Sequence, residues 1–163
     1  MAMKTLPRVR PAAALGLSLL AGAALAAPQR SPNFSVDWSQ VSPAASRTFA
    51  SYKDTPYLRD AGLFKAAAQE LDRQWTAQGQ AGRCDLKTTE IVTFTLAKPG
   101  DLTPLEAAVL GQLKGRRVDP IGADSPPKFF RVTGGGKTVA LGFGRVFLPG
   151  RPPVLTVRAC QMR

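Results

Sequence analysis

Two cysteines, Cys84 and Cys160, constrain this chain more than any other feature. Cys84 stands just ahead of the β-type run "KTTEIVTFTLAK" at 87–98, and Cys160 lies in the last such run, "VLTVRACQ". Those two ends meet if the two strands are antiparallel neighbours, the arrangement expected here if the sulfurs bond. An even cysteine count in an exported chain reads first as a disulfide, with two buried thiols as the plain alternative. Closing a loop of about 77 residues would stabilise the fold by roughly 4.5 kcal/mol in the chain-entropy picture.

Export is read from the N-terminus. Lys4, Arg8 and Arg10 precede an uncharged apolar stretch, and Ala24-Leu25-Ala26 supplies the small-x-small pattern of a signal-peptidase site. The stretch is about fourteen residues, short of the roughly 20 that a membrane-spanning helix needs. Residues 1–26 are therefore expected to be a cleaved signal peptide, with the protein in the periplasm or secreted. That leaves 137 of the 163 residues, a size that suits one domain with no transmembrane segment in the mature chain.

Residues 27–54 are rich in Ser, Pro and Ala and read as an arm. Within it Phe34, Val36 and Trp38 alternate like a short strand, and Ser42-Pro43 is a helix-start signature that predicts a short helix. The domain proper is expected over 55–163. It opens with Thr55 as N-cap and Pro56 at the first helical position. Leu58, Ala61, Phe64, Ala68, Leu71 and Trp75 then form one apolar stripe. In the strand at 87–98, Val92, Phe94 and Leu96 face one way and Ile91, Thr93 and Thr95 the other. A second helix follows in "DLTPLEAAVLGQLKG", with Thr103 and Glu106 as a capping box and Leu105, Val109 and Leu113 on one face. Residues 116–127 read as a turn-rich connection. "KFFRVT", "KTVALGFGRVFL" and "VLTVRACQ" then read as three strands separated by "GGG" and "PGRPP". The expected fold is α+β: a long N-terminal amphipathic helix packed on a small, mostly antiparallel four-stranded sheet, with one further helix inserted after the first strand. The strand order is 2-3-4-1 and the helices share one face. Helix plus curved sheet invites comparison with cystatin-like folds as architecture, on no shared motif and with no implication for function.

Chemistry is narrowed by what is missing. The chain has no His, which removes Ser-His-Asp and Cys-His catalysis and His-ligated metal sites. No cofactor or metal is expected. Gly136-Lys137-Thr138 match the end of a phosphate-binding loop, but Arg131 stands where its first Gly belongs and a strand follows where a helix should. "LGFGRVFL" resembles the octapeptide of RNA-recognition motifs at Gly142, Phe143, Gly144 and Val146. Leu141, Arg145 and Leu148 replace its basic residue and two of its aromatics, and the order of elements differs. The simpler reading puts Val139, Leu141 and Phe143 in a core. Ala140, Gly142 and Gly144 then leave room for a helix or ligand to approach closely.

Charge is placed unevenly. Residues 27–113 hold nine basic and nine acidic side chains, whereas 114–163 hold ten basic ones against Asp119 and Asp124, a net +8. Arg116, Arg117, Lys128, Arg131 and Arg158 are the candidate anion-binding residues. Their expected partner is an acidic polymer, an anionic membrane surface or an acidic protein, with nucleic acid less favoured. The leading functional expectation is an exported, non-catalytic binding or accessory protein. Two alternatives are a carboxylate-dependent hydrolase or lyase using Asp85 and Glu90, and a structural envelope protein docking through Phe34 and Trp38 of its arm.

Overall fold

The computed structural model describes residues 30–163 apart from 32, 35, 43, 55–56 and 124–127, and the side chains of 57–61 are also outside the described set. The expected signal peptide, the helix start at Thr55-Pro56, Pro43, Asp124 and the stripe positions Leu58 and Ala61 therefore lie outside the described residues.

The molecule is built on one six-stranded sheet in which all pairs are antiparallel. Its strands are β1 (Ser46–Ser51), β2 (Glu90–Thr95), β3 (Arg117–Pro120), β4 (Phe129–Gly134), β5 (Lys137–Val146) and β6 (Val154–Gln161), and they lie side by side as β1-β2-β6-β5-β4-β3. Helix α1 (Tyr57–Ala77) joins β1 to β2, and α2 (Leu102–Gly111) joins β2 to β3.

This corrects the expected four-stranded sheet beneath a long N-terminal helix. The four expected strands occupy the middle in the expected order, but β1 and β3 extend both edges, and β1 precedes the helix. Both were hidden for physical reasons. In "SRTFAS" one large apolar side chain, Phe49, alternates with small polar residues, and the Ser42-Pro43 signature upstream competes for a helix. In "RVDP" only Val118 is apolar, and Pro120 is tolerated because β3 is an edge strand with a partner on one side alone. The two helices also take opposite faces, where one shared face was expected.

Strand parity assigns the faces. Val92, Phe94, Val132, Val139, Leu141, Phe143, Leu155, Val157 and Ala159 enter one large apolar cluster, closed over by Leu102, Leu105, Val109 and Leu113 and by Phe34, Val36, Trp38, Val41 and Ala45. The arm is thus part of the core. In place of the expected strand, an Arg30–Asp37 bridge leads into a 3-10 turn at Trp38–Gln40, and Trp38 stands edge-on to Phe94 with ring centroids 6.3 Å apart.

The other face carries α1. Leu71 and Trp75 cover Phe129, Ala140 and Cys160, while Phe64 and Ala67 cover Ile91. The helix crosses the sheet over the register row Ala50–Ile91–Arg158–Gly142–Phe129. Gly142 makes that crossing close: a Cβ there would stand 3.1 Å from Leu71 Cδ2. The expected disulfide is present between Cys84 and Cys160, with Cα atoms 5.6 Å apart, where β2 and β6 pair antiparallel. "GGGKT" is a hairpin turn, with Gly135 and Gly136 both at positive φ between the paired Gly134 and Lys137.

Candidate ligand groove beneath helix α1

The five expected anion-binding residues do not form one patch. Arg117 and Arg131 share Asp119, at 2.9 and 3.6 Å, and Arg131 also donates to Gln80 Oε1 at 2.9 Å beyond the end of α1. Arg116 turns to the opposite face, where its guanidinium lies 6.0 Å from the Phe34 ring centroid and donates to the Gly134 carbonyl. Lys128 is exposed at the start of β4. Arg158 stands apart from all of them, in the row that α1 crosses.

Its surroundings follow from the alternation of β1, β2, β6 and β5. One step along the strands from the Arg158 row, Thr48, Thr93, Thr156 and Gly144 lie in register across four strands, and one step further come Ser46 and Thr95. Thr48, Thr95 and Ser46 are exposed and Thr93 and Thr156 half-buried, so α1 leaves this part of the sheet open. Gly144 contributes no side chain, and Arg158 occupies that space, its Nη2 3.4 Å from where a Cβ would be. Leu63, Ala66, Ala67 and Glu70 overhang from the helix. Together with Ile91, Thr93, Thr156 and Arg158 they enclose a groove of about 600 Å3.

Glu70 is the carboxylate on this wall, and it is occupied. Arg73 and Gln74 donate to it at 2.7 and 2.8 Å, and these hydrogen bonds, with a smaller contribution from Arg158, lower its pKa to about 2. Arg158 itself makes no ion pair within 4 Å among the described residues. A guanidinium beside ordered hydroxyls, in a partly enclosed groove, holds carboxylate, sulfate or phosphate oxygens by charge-assisted hydrogen bonds. The hydroxyl row was visible in part, as Thr93 and Thr95 on the polar side of their strand. Joining it to Thr48 and Thr156 required the register.

The carboxylates of the catalytic alternative are spent elsewhere. Asp85 caps the turn at Leu86–Thr88 and pairs with Arg163 at 2.5 Å. Glu90 is buried under the arm, accepting from Ser31 Oγ at 2.5 Å and Asn33 N–H at 3.1 Å, and burial raises its pKa to about 7 against the pull of those bonds. Neither lines the groove, nor the smaller ones beside α2 and along the outer side of α1, each of which has a single acidic residue. The capping box at Thr103 and Glu106 is likewise replaced: Glu106 turns back to the sheet and holds Arg145 through both oxygens, at 2.8 and 2.6 Å. An ion pair to a guanidinium is stronger than a bond to one backbone N–H, so the sheet wins the side chain. Phe34 and Trp38 are 4% and 1% exposed, which leaves no surface for docking to another chain.

Among the described residues no three potential metal ligands cluster, and no helix is long and apolar enough to cross a membrane. No protein-family model matches the chain, and neither a curated protein nor a solved structure matches it, so any function must be argued from its own residues.

Proposed function

We propose that the protein is an exported binding protein that holds an acidic polymer of the cell envelope or exterior on the open face of its sheet, with one anionic group seated on Arg158. The observation that carries the reading is the in-register row of Thr48, Thr93 and Thr156 running to Gly144 beside that arginine, on a face that α1 leaves uncovered. Hydroxyls spaced about 4.8 Å apart across strands suit a chain rich in hydroxyl and carboxyl groups, and the guanidinium supplies the charge. The disulfide is compatible with an exported protein.

The test is a titration of the oxidised protein, starting at Ala27, with heparin and with alginate at about 50 and 200 mM salt. Binding that survives the higher salt and is lost in Arg158→Ala supports the reading. Equal binding by Arg158→Ala, with loss in the combined Arg116→Ala, Arg117→Ala, Arg131→Ala variant, would move the site to the β3–β4 edge. Weak binding to both polymers that vanishes with salt would make the charge a surface property only.

A further inference from the structure

The sheet ends in an exposed apolar tip that neither core nor groove uses. β5 and β6 stay paired up to Val146 and Val154, and the connection beyond them runs Phe147-Leu148-Pro149-Gly150-Arg151-Pro152-Pro153. Val146, Phe147 and Leu148 are 43%, 56% and 54% exposed, three of the four large apolar side chains that stand out on the described surface, and they are consecutive. An isolated exposed leucine is ordinary, whereas a run of three at the end of a hairpin is not.

The rim of the tip is cationic. Arg151 lies in the connection and is exposed. Lys128 is also exposed, and its carbonyl accepts from Phe143 N–H at 2.8 Å, which places it three residues back from the tip on the neighbouring strand. Lys98 follows the end of β2, where Leu96 N–H donates to the Pro153 carbonyl of the same connection. The acidic residues described at this end are engaged, Glu106 with Arg145 and Asp101 with Lys98 at 3.9 Å, so the net charge of the rim rests on Arg151 and Lys128. The tip is a projection rather than a groove, so a partner must yield to admit it. Apolar side chains leading and cations set behind match an anionic bilayer, whose acyl boundary lies beneath a plane of phosphates.

We propose that the 146–151 hairpin tip docks the protein on an anionic phospholipid surface, with Phe147 and Leu148 entering the interface and Arg151 and Lys128 meeting the headgroup phosphates. The site is separate from the groove at Arg158, so its failure leaves the polymer-binding reading untouched.

Co-sedimentation with vesicles of phosphatidylglycerol and phosphatidylcholine, against phosphatidylcholine alone, tests it. The oxidised protein is expected to partition onto the anionic vesicles. F147S/L148S is expected to lower that partitioning at least about tenfold, and Arg151→Ala and Lys128→Ala roughly fivefold each, while Arg158→Ala leaves it unchanged. Circular dichroism and Tm of each variant confirm that the exposed tip was altered without unfolding. In Phe147→Trp, a blue-shifted emission on vesicle addition reports entry, against a constant background from the buried Trp38 and Trp75. Three results overturn the proposal: no partitioning onto anionic vesicles, undiminished partitioning of F147S/L148S, or a wild-type dimer that F147S/L148S converts to a monomer, which would assign the tip to a second copy of the chain.

Discussion

On one face of the sheet, Val92, Phe94, Leu141 and Leu155 meet α2 and the arm in a continuous apolar layer. On the other, the same strands present Thr93, Gly142, Thr156 and Arg158 to a single crossing helix. The two faces alternate residue by residue along each strand, so no mutation that shifts register can spare either of them. They divide the work differently. The first face is where apolar burial concentrates, and its groove beside α2 is smaller than the one under α1. The second is held by a line of contacts from Phe64 to Trp75, and the surface beside that line is free for a ligand. Strand parity thus sets the larger apolar core apart from the groove proposed to bind.

That separation has measurable limits. The largest loss is expected from Phe94→Ala on the closed face, where a fully buried ring packed on Trp38 leaves a cavity. Denaturant unfolding should show about 3–5 kcal/mol lost, and a loss below about 1 kcal/mol would mean that this layer is not the main core. Replacing both Cys84 and Cys160 by Ser on the helix face should cost about 3 kcal/mol, below the chain-entropy figure as bridges commonly are, read from the urea midpoint of the variant against the oxidised protein.

Glu90 gives the closed face a pH signature. Its folded pKa of about 7 lies above the ordinary 4.5, so the folded state keeps a proton that the unfolded chain has already lost. Its contribution to stability is therefore greatest below about pH 4.5 and declines as pH rises to about 7, by up to about 3 kcal/mol. Glu90→Gln should flatten that part of a stability–pH curve, whereas an unchanged slope would assign it to other groups. Glu70 does not confuse the result, because its lowered pKa places its own loss of stability on the acid side, between about 4.5 and 2.

Smaller effects sharpen the contrast on the open face. Gly142→Val pushes a side chain against Leu71 and should cost about 1–3 kcal/mol by lifting α1, seen as a lower Tm. Arg158→Ala should change stability by less than about 0.5 kcal/mol. A larger loss would make that arginine a structural member of the sheet.

Much of this was legible in the residues. Val139, Leu141 and Phe143 announced their face by alternation, and Cys84 and Cys160 fixed the β2–β6 pairing through a bond whose geometry tolerates few arrangements. What stayed hidden was set by neighbours distant in sequence. β3 is a strand because β4 offers it an edge, not because "RVDP" favours extension. Glu106 reads as a cap until Arg145, far along the chain, competes for it. The groove joins one helix to two strands whose spacing only the register reveals, and the arginines expected to act together are parted, Arg158 in the groove, Arg117 and Arg131 at Asp119, and Arg116 on the opposite face.

The position of β6 has a consequence for how the chain comes into being. It is the last of the six strands in sequence, yet it lies between β2 and β5 and is the piece that joins them. As the polypeptide emerges from N- to C-terminus, β1-β2 and β3-β4-β5 exist first as two unconnected meanders, each with an unsatisfied edge that β6 will later fill. Neither cysteine can find its partner before that strand arrives. A chain assembled in this order leaves its most distant pairing in sequence, β2 with β6, to close the sheet last.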